Sequence, residues 1–468
     1  MKLTERLSSR RVAREAAEGG TRAAASRLGW LDALRGIAAL TVVVHHLGLP
    51  LSWVPHGSRL PYYLHPGIFG VMLFFLVSGY IIPASLERRG DIRGFWVSRL
   101  FRIYPVVIVT LVGSLLVLPR AYTVVANWNY QHPMLTAVGN ALMIQDLIGV
   151  TNVLGVMWTL AYEMVFYYFV TALFVLGWHR RSAPIAVGFA AVALLLGGWA
   201  SVGLITVDVT ATRHLALACA TVVVMAMACI MTGKAALIRM GALLLGGLGL
   251  LLITLNSRAT FFETMMIFAT MFSGTVLYRL EHGQIDRAQA ALTCAFVIVC
   301  GFLVGYMYNH GTALWRTWSD SWMAWSFAYV AAWAVFLGGM LLRKRRFPRW
   351  LTMLGAISYS LYLLHNPVIH AMGWMLRGRG PIESWTGRLL LLGAFMGALV
   401  LLSYLSYRLV ELPFQNLGRR ALKAVKRPEP LRPPQGPQAP STPRATGPAP
   451  VDVVDAEPVA EKVRATTP

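Results

Sequence analysis

The sequence predicts an all-α, polytopic integral membrane bundle of about 12 transmembrane helices, on three observations. Hydrophobic residues make up 56% of the 468 and charged residues only 13%, with a mean hydropathy of +0.58. A soluble core needs no such number of uninterrupted apolar runs. Twelve stretches reach the roughly 20 apolar residues of a membrane-crossing helix. Basic residues are unevenly spread: with the N-terminus inside, the inside segments hold the larger share of the 42 Lys and Arg. That bias follows the positive-inside rule and puts both termini in the cytoplasm of a multi-pass cell-membrane protein. The net charge of +22 is then a topology signal and does not imply nucleic acid.

Residues 1–29 carry seven Lys and Arg and no apolar core, so they read as a basic cytoplasmic arm and not as a secretory signal. The expected spans lie near 31–50, 67–86, 103–119, 157–177, 183–205, 214–232, 236–255, 261–280, 288–308, 321–342, 350–373 and 387–410. The pair at 214–255 is joined by a very short turn with Arg239 just inside its second helix, which leaves ten or eleven spans open. The long connection Pro119 to Val156 falls outside, and its apolar part at 134–150 is too short to span. It reads as an interfacial or re-entrant helix over the outer mouth. Residues 30–417 form the membrane domain, and 418–468, rich in Pro and Ala, read as a disordered cytoplasmic tail. Cys219, Cys229, Cys294 and Cys300 lie in apolar runs without metal or disulfide spacing, and read as packing residues.

Ionisable groups inside spans are costly, and mark candidate functional positions. Arg35 and His46 are eleven residues apart, so at about 100° per residue they share one face of the first span, with about 16 Å of rise between them. His45 points elsewhere. Arg99 and Arg102 share a helical face at the start of the third span, a fork suited to phosphate groups. Glu163 lies about one and a half turns inside the fourth span, at the depth expected for His46, so a Glu163–His46 contact is expected to orient a general base. Ser358, Tyr362 and His365 make one polar stripe, flanked by Tyr359 and Asn366, with a kink expected at Pro367. Ser78 and Trp158 join them as cavity-lining candidates. The glycines around Ser78 read as helix-packing positions, and Arg408 and Glu411 as a structural i, i+3 pair. No metal site is expected.

The segments LDALRGIAALTVVVHH, GVMLFFLVSGYII, RLFRIYP, WTLAYEMVFYY, FSGTVLYRL, GAISYSLYLLH and VELPF resemble, in order, the landmarks of the acyltransferase 3 family of membrane O-acyltransferases. The resemblance runs from about Leu31 to Phe414. It implies a catalytic signature on Arg35 and His46, an arginine motif on Arg99 and Arg102, a buried acid at Glu163 and a Ser-Tyr motif at Ser358 and Tyr359. Two departures stand out: Met72 stands where members of the family often carry an acidic residue, and where many relatives append an extracytoplasmic hydrolase-like domain the expectation here is a short disordered cytoplasmic tail. Family members also usually have fewer spans.

The function so implied is transfer of a short acyl group, acetyl from acetyl-CoA as first choice, to a hydroxyl of a carbohydrate-containing acceptor such as an envelope polysaccharide, glycolipid or glycosylated metabolite. Acyl-CoA enters as a co-substrate, with no bound cofactor. Expected partners are the lipid bilayer of a bacterial cytoplasmic membrane, the donor, the acceptor, and in one variant a separate extracytoplasmic transferase. The rival readings are a multi-span transporter, against which no half-to-half repeat is detectable, and a subunit that passes an acyl group across the membrane.

Overall fold

The structure, a computed structural model, describes residues 29–48, 60, 63–199, 202–310, 317, 319, 321–380, 382 and 384–424. A helix occupies each of the twelve expected stretches, that at 183–205 only as far as Leu196, and no strand occurs among the described residues. In chain order the helices are α1 (29–46), α2 (Pro66–Arg89), α3 (Ile92–Val117), α4 (Asn127–Gln131), α5 (Pro133–Ala141), α6 (Trp158–Val175), α7 (Ser182–Leu196) and α8 (Val209–Met231). Then come α9 (Ala235–Leu255), α10 (Phe261–Glu281), α11 (Arg287–Tyr308), α12 (Trp322–Leu341), α13 (Arg349–Ala356), α14 (Ser358–Met375), α15 (Trp385–Ser406) and α16 (Leu412–Ala424).

Among the described residues nine helices are long and apolar enough to cross a membrane. Three expected spans fall outside that set. α7 has 15 residues, about 22 Å of helix, short of a hydrocarbon core of about 30 Å. α1 and α14 give up apolar positions to the groups of interest, Asp32, Arg35, His45 and His46 on one and Ser358, Ser360, His365 and Asn366 on the other.

Several boundaries differ from expectation. α1 ends at residue 46 and not 50. α3 begins at Ile92 and not 103, because Gly90 closes α2 at φ 64° and Asp91 immediately caps the next helix, accepting from the Gly94 amide at 2.9 Å. Arg99 and Arg102 therefore sit inside α3, two to three turns from its start. The expected helix 350–373 breaks at Ile357 and then runs on through Pro367. α15 passes through a π-helical turn, Tyr407–Glu411, into α16, so the expected domain boundary at 417 falls inside a helix that reaches Ala424. Residues 1–28 of the expected basic arm and 425–468 of the expected tail lie outside the described residues.

α10 is the central helix, buried along its whole apolar length, and it packs most extensively on α2 and α7. The α2–α10 contact is backbone on backbone: a Cβ at Gly79 would collide with the Met271 carbonyl, so the small residues of the second span do pack helices as expected. At one end of α10 the buried Arg279 pairs with Glu87 at 2.5 Å and donates to the His179 carbonyl. The four cysteines are free thiols, three of them buried.

Of the stretch 134–150 expected as an interfacial or re-entrant helix, only α5, as far as Ala141, is an α-helix. After α5 and a 3-10 turn at Gln145–Leu147 the chain runs irregularly into α6, with Ile144, Leu147, Ile148, Leu154 and Met157 inaccessible. Irregular backbone at such depth must be satisfied by protein. Asn256 Nδ2 donates to the Leu147 carbonyl at 2.9 Å, Asn366 Nδ2 to that of Leu154 at 2.9 Å, and the Tyr362 hydroxyl to that of Val156 at 2.8 Å.

Candidate active site

Polar side chains gather at two levels of the bundle. The first surrounds a small cavity of about 40 Å³ lined by Arg35 of α1, Ser78 of α2, Arg99 and Arg102 of α3, Glu163 and Tyr167 of α6 and Tyr359 of α14. Arg99 is buried, donates to Ser85 Oγ at 2.8 Å and lies over the rings of Phe95 and Tyr167 at 5.0 and 5.2 Å. Arg35 lies over Phe74 at 5.8 Å. Neither Arg35 nor Arg102 makes a hydrogen bond to any described residue, so their donors stay available at the cavity wall. The wall carries three guanidinium groups against one carboxylate, Glu163, which accepts from the Tyr167 hydroxyl. Asp32 and Glu411 stand behind the arginines within electrostatic range of Arg35 and Arg102.

Next along the α1 face comes an apolar constriction of Ala38, Val42, Gly70, Val71, Phe74, Tyr359 and Tyr362, enclosing only about 10 Å³. It shares Phe74, Leu160 and Tyr359 with the arginine cavity. Tyr359 donates to the Ile103 carbonyl at 2.8 Å, and Tyr362 meets Thr159 Oγ1 at 2.8 Å.

Beyond the constriction lies the second level. His46, the last residue of α1, keeps an exposed edge, and its Nδ1 is 2.9 Å from the Val42 carbonyl and 3.3 Å from Nε2 of the buried His365. His45 points to another face, as expected, its ring tilted against His65 at 4.6 Å between ring centres and edge-on to His46 at 5.2 Å. Among the described residues no group of three or more His, Cys, Asp or Glu side chains is arranged to hold a metal ion.

The expected Glu163–His46 contact is not made. The Thr159–Tyr362 bond marks one level. Glu163 is four residues from it along α6 and His365 three residues the other way along α14, which separates them by about 10 Å. The early end of α1 also moves His46 to the mouth. The polar stripe of α14 divides as well. Tyr362 and Tyr359 line the voids, His365 meets His46, and Ser358 is buried with its Oγ unpartnered, lining neither. Trp158 packs edge-on to Tyr162 at 6.2 Å, outside both voids.

Three participants escaped the sequence reading. Glu411 is buried and turned inward by the π turn, accepting from Gln415 at 3.0 Å and Ser360 at 3.4 Å, while Arg408 points out over Tyr404 at 5.9 Å. The i, i+3 pair read there does not form. Tyr167, one turn from Glu163, lies in an aromatic run, and Phe74, which lines both voids, carries no polar signal in the sequence.

Comparisons with known proteins identify the family. The profile of the acyltransferase 3 family, described as Acyltransferase domain, matches residues 28–408. A Staphylococcus aureus (strain COL) protein named "Putative O-acetyltransferase" is 31% identical over 155 residues, 30% of this chain and 23% of that one. "Acyltransferase MdmB" of Streptomyces mycarofaciens is 29% identical over 147 residues, 30% of this chain and 38% of its own. "Putative peptidoglycan O-acetyltransferase YrhL" of Bacillus subtilis (strain 168) is 35% identical over 81 residues, 16% and 11% of the two chains. The matches thus span well under half of those relatives. No solved structure matches the chain. The family profile runs from the start of α1 to the π turn and so takes in both polar levels, and the chain belongs to the acyltransferase 3 family of membrane proteins.

Proposed function

We propose that the chain is a membrane O-acyltransferase that moves a short acyl group, acetyl from acetyl-CoA, to a hydroxyl of a carbohydrate-containing acceptor. The observation that carries this reading is the alignment on α1 of a guanidinium-lined cavity and an imidazole beyond it, about 16 Å apart along the helix. Arg35, Arg99 and Arg102 bind the donor's phosphates at one level. The donor's thin arm then passes the constriction toward His46, which requires Phe74 and Tyr362 to move, since the void there is closed. The acceptor approaches His46 from its exposed side. His46 takes the hydroxyl proton on Nε2, the oxygen attacks the thioester carbonyl, the C–S bond breaks, and the leaving sulfur receives that proton to give free CoA and an ester. The Staphylococcus aureus and Bacillus subtilis relatives' printed names support an acetyl group, and the latter's, which names peptidoglycan, supports an envelope acceptor. We place both termini in the cytoplasm of a bacterial cytoplasmic membrane, with the arginine cavity on that side.

The test is the full chain in detergent with acyl-labelled acetyl-CoA and an envelope glycan fraction. The expected result is CoA release that requires the acceptor, with the label recovered as an alkali-labile ester. Donor binding without turnover would overturn the enzyme reading in favour of an acyl-passing subunit, and no donor binding at all would favour a transporter.

A further inference from the structure

His365 is a histidine on a helix remote in sequence from His46, inaccessible to solvent, with its Nε2 3.3 Å from His46 Nδ1 and its Nδ1 making no well-formed hydrogen bond, though the ring lies within reach of the Leu361 and Tyr362 backbone carbonyls one turn back. The Val42 carbonyl, 2.9 Å from the same His46 Nδ1, can only accept. That nitrogen therefore carries the proton, and His46 is left with a lone pair on Nε2.

We propose that His46 and His365 form an imidazole dyad, in which His365 is a positioning residue that accepts from His46 Nδ1–H and holds His46 as a base through Nε2. The proposal rests on the acyltransfer reading and deepens it. It assigns to a neutral histidine the place that a carboxylate takes in many such pairs. When His46 takes the acceptor's proton, the new charge lies on a ring whose other N–H already points at two acceptors, Val42 O and His365 Nε2. Each favours the charged form. No carboxylate makes a hydrogen bond or ion pair to either ring among the described residues. The titratable groups around the pair are His45 on α1, His65 against His45, and Tyr362 on α14, 5.8 Å from His365 between ring centres. From α15 the apolar Phe395, Met396, Leu399 and Val400 pack on this side of α1 and α14, and the titratable Tyr407 of the π turn joins the same cluster. A buried neutral partner also suits its surroundings, because a second positive charge there would have no anion to meet it.

The pH effect has a definite sign. Removing an acceptor from Nδ1–H makes His46 harder to protonate, so the acidic limb of the pH–rate profile moves to lower pH. Placing a carboxylate there moves it to higher pH. The experiment uses the full chain in lipid nanodiscs with ¹⁵N-histidine, read by NMR for the His46 tautomer, alongside acetyl transfer from acetyl-CoA across pH. Wild type is expected to show His46 protonated at Nδ1. His365→Phe should lower turnover at least tenfold, leave donor KM within about twofold and shift the limb down. His365→Asn, whose side-chain oxygen can accept, should retain more activity than Phe, and His365→Asp should shift the limb up. A His46 protonated at Nε2, or a limb that stays put in all three folded variants, overturns the dyad. Because the tautomer is read without turnover, absence of activity in wild type counts against the acyltransfer reading alone.

Discussion

The Asp146 carboxylate is fully buried 2.5 Å from the Arg258 guanidinium, of which 55% stays exposed. The pair lies in the loops that close the His46 end, where Gln145 at 2.9 Å and Asn152 at 3.3 Å also donate to the carboxylate. Burial raises the Asp146 pKa above its ordinary 3.8, and Arg258 opposes that shift. A raised carboxyl contributes stability that is fully present below pH 3.8 and is lost as pH climbs through the folded-state value. Asp146→Asn should therefore flatten this part of the pH dependence and change stability at neutral pH by under about 1 kcal/mol, since the amide can still accept. Arg258→Ala should cost more, up to about 3 kcal/mol, by leaving the charge unpaired, and should steepen the loss as pH rises. Thermal melting in detergent from pH 4 to 8 measures both, and the double variant should melt close to Asp146→Asn.

Arg102 makes no hydrogen bond to a described residue, so its removal tests donor binding without breaking a packed network. Arg102→Ala should raise the acetyl-CoA Kd by roughly tenfold to a hundredfold, the range for one charge-assisted phosphate contact of about 1.5–3 kcal/mol. Lysine should rescue only in part, lacking the planar fork. Arg99→Ala should cost stability as well, because Arg99 is tied to Ser85 and to two rings. An unchanged Kd in the double alanine variant would reduce the two residues to charge-placement signals.

Glu163 is the carboxylate on a wall of three arginines, and it competes with any anion bound there. Glu163→Gln should tighten binding of CoA about fivefold, the effect of about 1 kcal/mol for unit charges some 5 Å apart in a water-like dielectric. Tyr167→Phe frees Glu163 from its one hydrogen bond among the described residues and should move affinity less. Isothermal titration with CoA separates the two. Weaker binding in Glu163→Gln would mean that the carboxylate orients the arginines and does not compete with the donor.

The charge bias sets the expected topology. A reporter fused after Arg427 should report cytoplasm, and one inserted near Asn127 the opposite side. A C-terminal fusion that reports outside would make the number of crossings odd, and α8–α9 would be the first pair to question.

Legibility in the sequence depended on period and not on depth. The shared face of Arg35 and His46 comes from eleven residues at about 100° each, and it held. Pairing Glu163 with His46 needed the absolute level of each, and that level shifted when α1 stopped at 46 and the chain before α6 folded inward. Glu411 was misread for a related reason. A π turn admits one extra residue and rotates the next stretch of helix, so a spacing of three from Arg408 no longer meant a shared face. The start of α3 was readable after all, in Gly90-Asp91, a stop joined directly to a cap.

The inward-folded segment before α6 also sets an order of assembly. Its carbonyls at Leu147, Leu154 and Val156 are satisfied by Asn256, Asn366 and Tyr362, which lie 109, 212 and 206 residues later in the chain. During synthesis those donors do not yet exist when the segment is made, and buried carbonyls without donors are costly. The segment must wait in water while nine further helices, α6 to α14, are laid down, and it can dock only once α14 has arrived. The histidine mouth therefore stays open until α14 has arrived, and a chain interrupted before Ser358 would lack both His365 at that mouth and Tyr359 in the wall of the arginine cavity.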